Sequence, residues 1–380
     1  FSQKQTKVSD IKVGIILGFT GPIESLTPDM ASGAELAFKE ATDSGELLGG
    51  ANIIPVRADS TCVDSAAAST AAEDLIAQGI VAIMGADCSG VTGAVATNVA
   101  VPNGVVMVSP SATSPALTDL DDNGLFFRTA PSDARGGEVL ADITKDNGVS
   151  SVAITYVNTD YGVGLADVYK AALEAHGITV TTSTAHEGDK ADYSAEVGVL
   201  SSAGGDALAV LGYLDQGGNQ IIQGSLDSGA FDTFVLSDGM IGDSLTDTFG
   251  SDLDKSFGSM PGSLGEGAQM FAKYAEENGV NPSVYVGESY DAAALIVLAM
   301  QAGDSTDKSS IASNIMNVAN GPGEKIMAGE LSKGLKLLAD GKSIDYQGAT
   351  DVSFTDVGEA FGLFIEKGIE NGKFVNVSQR

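Results

Sequence analysis

Two groups of polar side chains in this sequence could together hold a small charged solute. Ser89 follows the apolar run "IVAIMGAD" (80–87) and stands where a helix is predicted to begin, so free backbone N–H groups there favour an anion. Asp238, in "LSDGM", ends a later apolar run, and a half-buried carboxylate facing a cleft favours a cation. A solute that carries both charges needs both kinds of partner. Taken singly, Ser89 could instead be a helix cap and Asp238 an N-cap beside a turn glycine.

The sequence offers little for catalysis. Its two histidines, His176 in "EAHGIT" and His186 in "TAHEGD", are expected at the surface, and neither belongs to a signature of nucleophilic catalysis. Patterns such as GxSxG, HExxH and the P-loop are absent, and the turn after the first apolar run reads "GFTGPIES" rather than GxGxxG. We therefore expect no enzymatic activity, no cofactor and no metal.

Composition narrows the range of partners. The 380 residues include 51 acidic and 20 basic side chains, a formal net charge of −31 that disfavours nucleic acid and anionic membranes. This charge also suits a solvated, aggregation-resistant surface. The length predicts two domains, and no apolar run reaches the roughly 18 residues of a membrane span. The opening "FSQKQTKVSD" has no hydrophobic signal core, so we expect that any export signal has been removed.

The chain has only two cysteines, Cys62 in "ADSTCVDSAAAS" and Cys88 in "MGADCSGVTGAV". Both stand where an apolar run gives way to a polar loop. If the two runs form adjacent parallel strands, their ends lie at bridging distance. The alternative is a pair of buried thiols. A disulfide, which we favour, implies an oxidising compartment.

Apolar runs alternate with helical periodicity through most of the chain. The runs are 12–19, 52–59, 80–87, 104–111, 151–158, 178–187, 207–214 and 233–240. The helical segments between them are 27–45, 65–79, a short one from Ser89, 162–176, 191–203 and 217–229. This order predicts two α/β units with parallel sheets covered on both faces, and a ligand cleft between their carboxyl strand ends. Later helical segments (265–279, 289–303, 309–320) and a β-rich tail (350–375) predict that the chain crosses between the units three times.

The order of several motifs resembles that of type I periplasmic binding proteins of ABC transporters, especially the leucine/isoleucine/valine-binding branch. The motifs are "IKVGIILGFTGPIES", "DSTC", "GADCSGVTGAV", "VVMVSPSATSPALT", "FFRTAPSDARGG", "DYGVGLADVYK", "VLSDGM", "ESYDAAALI" and "YQGATDVSFTDVGEA". They cover nearly the whole chain. The resemblance implies two doubly wound α/β lobes with parallel sheets, joined by a three-strand hinge. The expected boundaries are 1–131 plus 263–341 for lobe 1 and 132–262 plus 342–380 for lobe 2.

The resemblance also implies a ligand site and a disulfide. A cysteine pair at matching places is bridged in the family, which adds to the case for Cys62 and Cys88. The positions that match carboxylate-binding residues of the family are Ser89, Ser111, Ala112 and Thr113, and the position that matches its acidic residue is Asp238. Further candidates for the ligand pocket are Tyr161, Tyr213 and, more weakly, Tyr290. Leu26 stands where relatives specific for branched side chains often carry an aromatic residue, so it alters the wall of the pocket.

The function implied is capture of a small amino acid or related carboxylate outside the cytoplasm and delivery to an ABC transporter permease. The protein is expected to be monomeric. Two alternatives stay open: ligand sensing for a membrane receptor, and carriage of another solute such as an aromatic acid or amide. A repressor of the same fold would carry an N-terminal DNA-binding motif, whereas the first strand here begins near residue 11.

Overall fold

The computed structural model describes residues 9–380, so most of the opening segment considered above lies outside the described residues. The strands are β1 (Asp10–Leu17), β2 (Asn52–Asp59), β3 (Ala82–Gly85), β4 (Val106–Ser109), β5 (Phe126–Pro131), β6 (Ser151–Val157), β7 (Thr179–His186), β8 (Ala207–Leu211), β9 (Phe234–Leu236), β10 (Phe257–Pro261), β11 (Glu324–Met327), β12 (Ile344–Gly348), β13 (Glu359–Ala360), β14 (Phe364–Glu370) and β15 (Lys373–Gln379). The α-helices are α1 (Thr27–Asp43), α2 (Ser65–Ala77), α3 (Ser89–Val95), α4 (Asp133–Asp146), α5 (Asp160–Ala175), α6 (Ser194–Ala203), α7 (Gly218–Ser228), α8 (Asp243–Phe249), α9 (Glu266–Glu277), α10 (Val286–Gly303), α11 (Lys308–Asn320) and α12 (Leu331–Ala339).

The first lobe contains a six-stranded sheet in the order β13-β5-β4-β3-β1-β2, with every pair parallel. Its inner strands are buried on both faces, as their uninterrupted apolar sequences require. The strand order reverses between β1 and β3. Ligands of doubly wound sheets bind at such a switch point, beyond the carboxyl ends of the strands.

The second lobe contains a seven-stranded sheet in the order β15-β14-β10-β9-β8-β6-β7. Strands β6 to β10 are parallel, with a switch point between β6 and β8. The last two strands form an antiparallel hairpin at one edge, so this sheet is mixed rather than wholly parallel. The predicted fold class, two α/β lobes joined by a three-strand hinge, is confirmed.

Three segments connect the lobes, between β5 and α4, between β10 and α9, and between β13 and β14. The prediction that residues from 342 onward belong to lobe 2 needs a correction. Strand β12 pairs with β11 beside the helices of lobe 1, and β13 joins the first sheet next to β5. The chain therefore returns to the second sheet only at Phe364, because the "β-rich tail" divides its strands between the two lobes.

Cys62 and Cys88 form a disulfide with a Cα–Cα distance of 5.1 Å, as predicted. The reason given for the pairing was wrong, because β2 and β3 are not neighbours and β1 lies between them. The bridge instead passes over the end of β1 at Gly18. A Cβ at Gly18 would lie 3.0 Å from the Cys62 backbone nitrogen and 3.2 Å from the Cys62 Cβ, so the side-chain-free residue makes room for the bridge.

Helix α10 is the central helix of lobe 1 and is buried along nearly its whole length. It packs against α1 and α11, which explains why most of its sequence after Asp291 is apolar. Within residues 9–380, none of the helices combines the length and the apolar character needed to cross a membrane.

Candidate functional site

A small cavity, here called the cleft cavity, lies where the switch points of the two sheets face each other. Lobe 1 contributes residues that follow β1, β3 and β4, and lobe 2 contributes residues that follow β6, β8 and β9. Six residues predicted from the sequence line it: Leu26, Ser89, Ser111, Tyr161, Tyr213 and Asp238. Five others complete the wall: Ile23, Asp87, Cys88, Gly239 and Tyr285. Its free volume is about 20 Å³, room for one or two water molecules, so a solute can enter only if the lobes move apart.

Ser89 begins α3 and keeps its hydroxyl proton available. Its Oγ accepts a hydrogen bond from the Ser114 backbone N–H at 3.1 Å, which uses a lone pair and not the proton. The Ser89 residue is 2% exposed and lines the cleft cavity. A buried hydroxyl in this position can donate to an acceptor inside the cavity.

Ser111 lines the cavity from the loop after β4. Its Oγ donates to the Asp87 carbonyl oxygen at 3.1 Å, and its backbone N–H lies 3.4 Å from Ser109 Oγ. Asp87 is 1% exposed, and its carboxylate accepts from the Gly18 N–H at 2.6 Å and from Ser60 Oγ at 2.7 Å. These bonds fix the ends of β1, β2 and β3 around the cavity. Burial raises the pKa of the Asp87 carboxyl, and the hydrogen bonds partly offset this.

Ala112 and Thr113, the next two predicted residues, are not among the lining residues of the cavity. Both are fully buried, and the Ala112 N–H already donates to Ser109 Oγ at 3.1 Å. Thr113 Oγ1 donates to Asp133 Oδ2 at 2.7 Å, and the Asp133 N–H donates to the Thr113 carbonyl at 2.7 Å. The loop after β4 is thus tied to the start of α4 in the other lobe.

Asp238 reaches the cavity from the turn after β9 and is 8% exposed. Two tyrosine hydroxyls donate to its carboxylate: Tyr161 to Oδ1 at 2.5 Å and Tyr285, from the other lobe, to Oδ2. Burial raises the pKa of Asp238, while the two hydroxyls act in the opposite direction. Burial and the negative charge of Asp238 also raise the pKa of Asp133 well above its usual range. The site is therefore rich in acceptors and suits a cation.

Two aromatic rings line the cavity from lobe 2. The rings of Tyr161 and Tyr213 stack with their centroids 5.1 Å apart. Leu26 lies opposite, 6% exposed, and approaches the other lobe so closely that a Cβ at Gly242 would lie 2.8 Å from its Cδ2. Leu26 is thus both a wall of the cavity and a contact between the lobes.

Tyr290 does not reach the cleft cavity, which corrects its prediction as a ligand residue. It is fully buried in α10, where its hydroxyl donates to Glu40 Oε1 at 2.5 Å and accepts from the Gly329 N–H at 2.9 Å. The tyrosine that reaches the cavity is Tyr285, which lies five positions earlier and outside the block "ESYDAAALI". Tyr285 has φ 65° and ψ 1°, a left-handed conformation that is uncommon for a bulky side chain. This backbone turns its hydroxyl toward Asp238.

The lobes also touch directly at the rim of the cleft. Ser25 of lobe 1 donates its backbone N–H to Asp215 Oδ2 at 2.9 Å, and the Asp215 N–H donates to the Pro22 carbonyl at 3.0 Å. Ser244 Oγ donates to Asp215 Oδ1 at 3.0 Å within lobe 2. We refer to the bonds of Asp215 with Pro22 and Ser25 as the rim contact. The structure is a closed form, because these bonds require the two lobes to be together.

The two histidines lie apart from this site. His176 Nε2 donates to Asp142 Oδ1 at 2.6 Å on the surface of lobe 2. His186 was predicted at the surface but is 2% exposed, with Nδ1 2.8 Å from Thr155 Oγ1. It is the one buried residue of β7, because its ring packs beside Tyr193 and Gly212. Burial lowers the pKa of His186 to about 4. In residues 9–380 no cluster of three or more His, Cys, Asp or Glu side chains is arranged to hold a metal ion.

Sequence reasoning missed three polar residues of the site. Asp87 directly precedes Cys88 at the end of β3, so its position at the carboxyl end of a strand was a usable signal. Asp133 lies in the block "FFRTAPSDARGG" and begins a helix, which alone suggests only a cap. Tyr285 carried no signal, because its part in the site depends on a left-handed backbone that the sequence does not reveal.

Sequence comparison places the chain among the periplasmic binding proteins. A family model described as "Periplasmic binding protein" matches residues 10–327. Leu/Ile/Val-binding protein homolog 1 of Brucella melitensis is 30% identical over 313 residues, which cover 80% of this chain and 81% of the relative. Leu/Ile/Val-binding protein homolog 3 of the same organism is 35% identical over 214 residues. That second match covers 55% of this chain and spans little more than half, 56%, of the relative's length.

Solved structures with low sequence identity share the fold. The branched-chain amino acid transporter substrate-binding protein of Streptococcus pneumoniae, in complex with isoleucine, has a TM-score of 0.79 at 20% identity and covers 97% of this chain and 100% of its own. A solute-binding protein from R. palustris in complex with benzoate has a TM-score of 0.77 at 15% identity, covering 98% and 96%. The ordered motifs, the two hinged lobes and the family match agree: this chain belongs to the periplasmic binding protein family, in the type I branch that includes the Leu/Ile/Val-binding proteins.

Proposed function

We propose that this protein captures a small α-amino acid in the cleft cavity outside the cytoplasm and delivers it to an ABC transporter permease. One observation carries the proposal: the hydroxyl of Ser89 from lobe 1 and the carboxylate of Asp238 from lobe 2 line the same closed cavity. The first can donate to a carboxylate, and the second can accept from an ammonium group. A ligand with both groups would be held from opposite sides.

Closure follows from this division of the site. A ligand bound to lobe 1 alone gains only half of its contacts, so the free energy of the second half favours the closed form. The free volume of about 20 Å³ is too small for an amino acid, so the lobes must be farther apart than in this structure both when the ligand enters and while it is bound. The three connecting segments are the hinge for this movement. In the closed form, burial removes water that would otherwise compete for both charged ends of the ligand.

The cellular setting rests on the disulfide and the family. A bridge between Cys62 and Cys88 persists in an oxidising compartment, which fits a periplasmic or otherwise exported carrier. Family membership supports the permease as the partner, and a monomer is the oligomeric state that we propose. Size-exclusion chromatography with light scattering tests the monomer, and ligand uptake by vesicles that contain the permease tests the delivery.

The central experiment is a thermal-shift screen against the amino acids, followed by calorimetry on the hits. Binding of an amino acid should raise the melting temperature by mass action, and Asp238→Ala should abolish this shift. Asp247→Ala, which removes an exposed carboxylate from α8, is the matched control and should behave like the unaltered protein. Equal affinity of Asp238→Ala and the control would refute the assignment of Asp238 as the ammonium partner.

A second candidate ligand is a small carboxylate without an ammonium group. The hydroxyls of Tyr161 and Tyr285 already donate to both oxygens of Asp238, so this carboxylate is partnered without any cation. The stacked tyrosines could also accept an aromatic ring, as in a benzoate carrier. Benzoate in the same thermal-shift screen distinguishes the two candidate ligands. If benzoate raises the melting temperature and no amino acid does, the protein carries an aromatic acid and the first proposal is wrong.

A further inference from the structure

A second cavity, here called the hinge cavity, lies between the three segments that connect the lobes. Pro131 lines it from the first segment, Pro261 and Gly262 from the second, and residues 360–363 from the third. Its volume is about 240 Å³, a little below the roughly 300–1,000 Å³ of pockets that take drug-sized ligands. The hinge cavity is therefore large enough for a small organic molecule, and it is distinct from the cleft cavity.

Glu288, in the first turn of α10, is the unusual feature of this cavity. The residue is 4% exposed and lines the hinge cavity. No other residue in the described part of the chain donates a hydrogen bond to its carboxyl group, whereas its backbone carbonyl accepts from Thr129 Oγ1 at 2.9 Å. Because the Glu288 carboxyl is largely removed from water and receives no hydrogen bond from another described residue, it can accept one from a bound molecule.

Most of the other polar side chains at the cavity offer acceptors, and the exposed Ser353 hydroxyl can donate or accept. Thr129 Oγ1 uses its proton on the Glu288 carbonyl, and Thr350 Oγ1 uses its proton on Asp291 Oδ2 at 2.6 Å. Both oxygens keep lone pairs. Asp351 adds an exposed carboxylate, and none of the lining residues is Lys, Arg or His. Prolines and other apolar side chains form the remaining wall. The cavity therefore has acceptors for the N–H groups of a ligand and an apolar surface for a short hydrocarbon.

We propose that the hinge cavity binds a small organic ammonium ion, whose N–H groups donate to the Glu288 carboxylate and whose alkyl part packs on Pro131 and Pro261. Phe361, 67% exposed, stands at the lining of the cavity and offers an aromatic face to the cation. A bare metal ion fits less well, because its ligands must lie within about 2.0–2.6 Å and no metal-binding cluster occurs among residues 9–380.

Occupation of this site should be linked to closure of the lobes. The bound ion would touch all three connecting segments, whose relative positions change when the lobes open. It would then bind the open and closed forms with different affinities, and by reciprocity it would change the affinity of the cleft for its own ligand. This linkage, unlike the binding itself, rests on the function proposed above.

The pH dependence follows from the groups that face Glu288. Burial raises the pKa of Glu288 to about 8, and the negative charge of Asp291, in the same helix, acts in the same direction. Asp351 is the other acidic residue at the cavity. Since the carboxylate is the form that binds a cation, affinity should increase as the pH rises through about 8. An alkylammonium ion stays protonated there, because its pKa is close to the value of about 10.4 for lysine.

The test uses calorimetry of n-butylammonium chloride with the full chain at pH 8.5, against sodium chloride at equal ionic strength. We expect saturable one-to-one binding that weakens at least tenfold in Glu288→Gln. Glu277→Gln, which removes an exposed charge from α9, should leave it unchanged. Asp238→Ala is a further comparison, because it removes the acidic group of the cleft and not that of the hinge cavity.

Two results would overturn the proposal. Absence of saturable binding, or equal binding by Glu288→Gln, would remove Glu288 as the partner. Loss of binding in Asp238→Ala with retention in Glu288→Gln would place the amine in the cleft, which contradicts the hinge site but supports the acidic cleft. If Glu288→Gln fails to fold, Phe361→Ala tests the same cavity from the third connecting segment, and unchanged affinity in that variant would overturn the proposal.

Discussion

The rim contact predicts a residue that controls ligand affinity without touching the ligand. Asp215→Ala removes the carboxylate that accepts from the Ser25 N–H at 2.9 Å across the two lobes. It also removes the acceptor of the Ser244 hydroxyl. Ser244 lies in the same lobe as Asp215, so this second hydrogen bond does not depend on closure. The bond from the Asp215 N–H to the Pro22 carbonyl is a backbone bond and survives the substitution. One hydrogen bond specific to the closed form is therefore lost.

Its magnitude follows from the geometry. Hydrogen bonds to charged groups contribute about 1.5–3 kcal/mol when buried, but Ser25 is exposed and Asp215 only half-buried, so we take about 1 kcal/mol. If the closed form is the minor state before ligand binds, all of this appears in the apparent dissociation constant. A loss of about 1 kcal/mol corresponds to roughly fivefold weaker binding.

The assay is calorimetry with the amino acid identified by the thermal-shift screen, together with stopped-flow dissociation. We expect the dissociation constant to rise about fivefold, mainly through faster release, while the melting temperature without ligand changes little. Asp247→Ala, in the same region of lobe 2, is the control. A change of less than twofold in Asp215→Ala would show that the rim contact does not stabilise the closed form, and the reasoning would be refuted.

Three further predictions concern the site and the stability of the lobes. Tyr285→Phe removes one of two hydroxyl donors to Asp238, so the pKa of Asp238 should rise further and amino acid binding should weaken about tenfold. The variant should also lose amino acid binding at a higher pH than the unaltered protein when the solution is acidified. Calorimetry at pH 5, 6 and 7 measures the affinity and its pH dependence. Replacing Cys62 and Cys88 together by serine should lower the free energy of unfolding by about 3.5 kcal/mol, since the bridge spans a sequence separation of 26; denaturant unfolding measures this, and an unchanged midpoint would contradict it. His186 has its pKa lowered from 6.5 to about 4, so the unfolded chain takes up its proton first and stability should fall as the pH drops through this window, by up to about 1.4 kcal/mol per pH unit. Urea unfolding of His186→Asn from pH 7 to 4.5 should lack this part of the loss.

The sequence predicts the regular part of the fold well, because the physics there is local. Each apolar run forms a strand, because helices cover both faces of a parallel sheet and both faces of its strands are then apolar. The tail was divided wrongly because strand membership depends on pairing between distant segments: β13 has two residues and is recognised only by its partner β5. His186 was misplaced for a related reason, since a polar residue at a strand end gives no sign of burial by the neighbouring lobe elements.

The site shows the same division. Ser89 and Asp238 follow strands directly, so their place at the carboxyl ends of the sheets could be read from the sequence. Tyr290 and Tyr285 could not be told apart, because only the left-handed backbone at Tyr285 turns one toward the cavity while the helix buries the other against Glu40. The contacts of Asp215 and Glu288 arise from packing between segments far apart in the chain, so no local sequence pattern predicts them.

The late return of the chain to the second sheet limits how the molecule can be divided. Strands β14 and β15 are the last 16 or so residues described, yet they complete a sheet whose first strand begins at Ser151. A fragment that stops after β12 would leave an unpaired edge at β10, a surface prone to association. Anyone who wishes to study the second lobe alone must therefore cut at all three connecting segments and rejoin the pieces, because no single cut yields a half with a complete sheet.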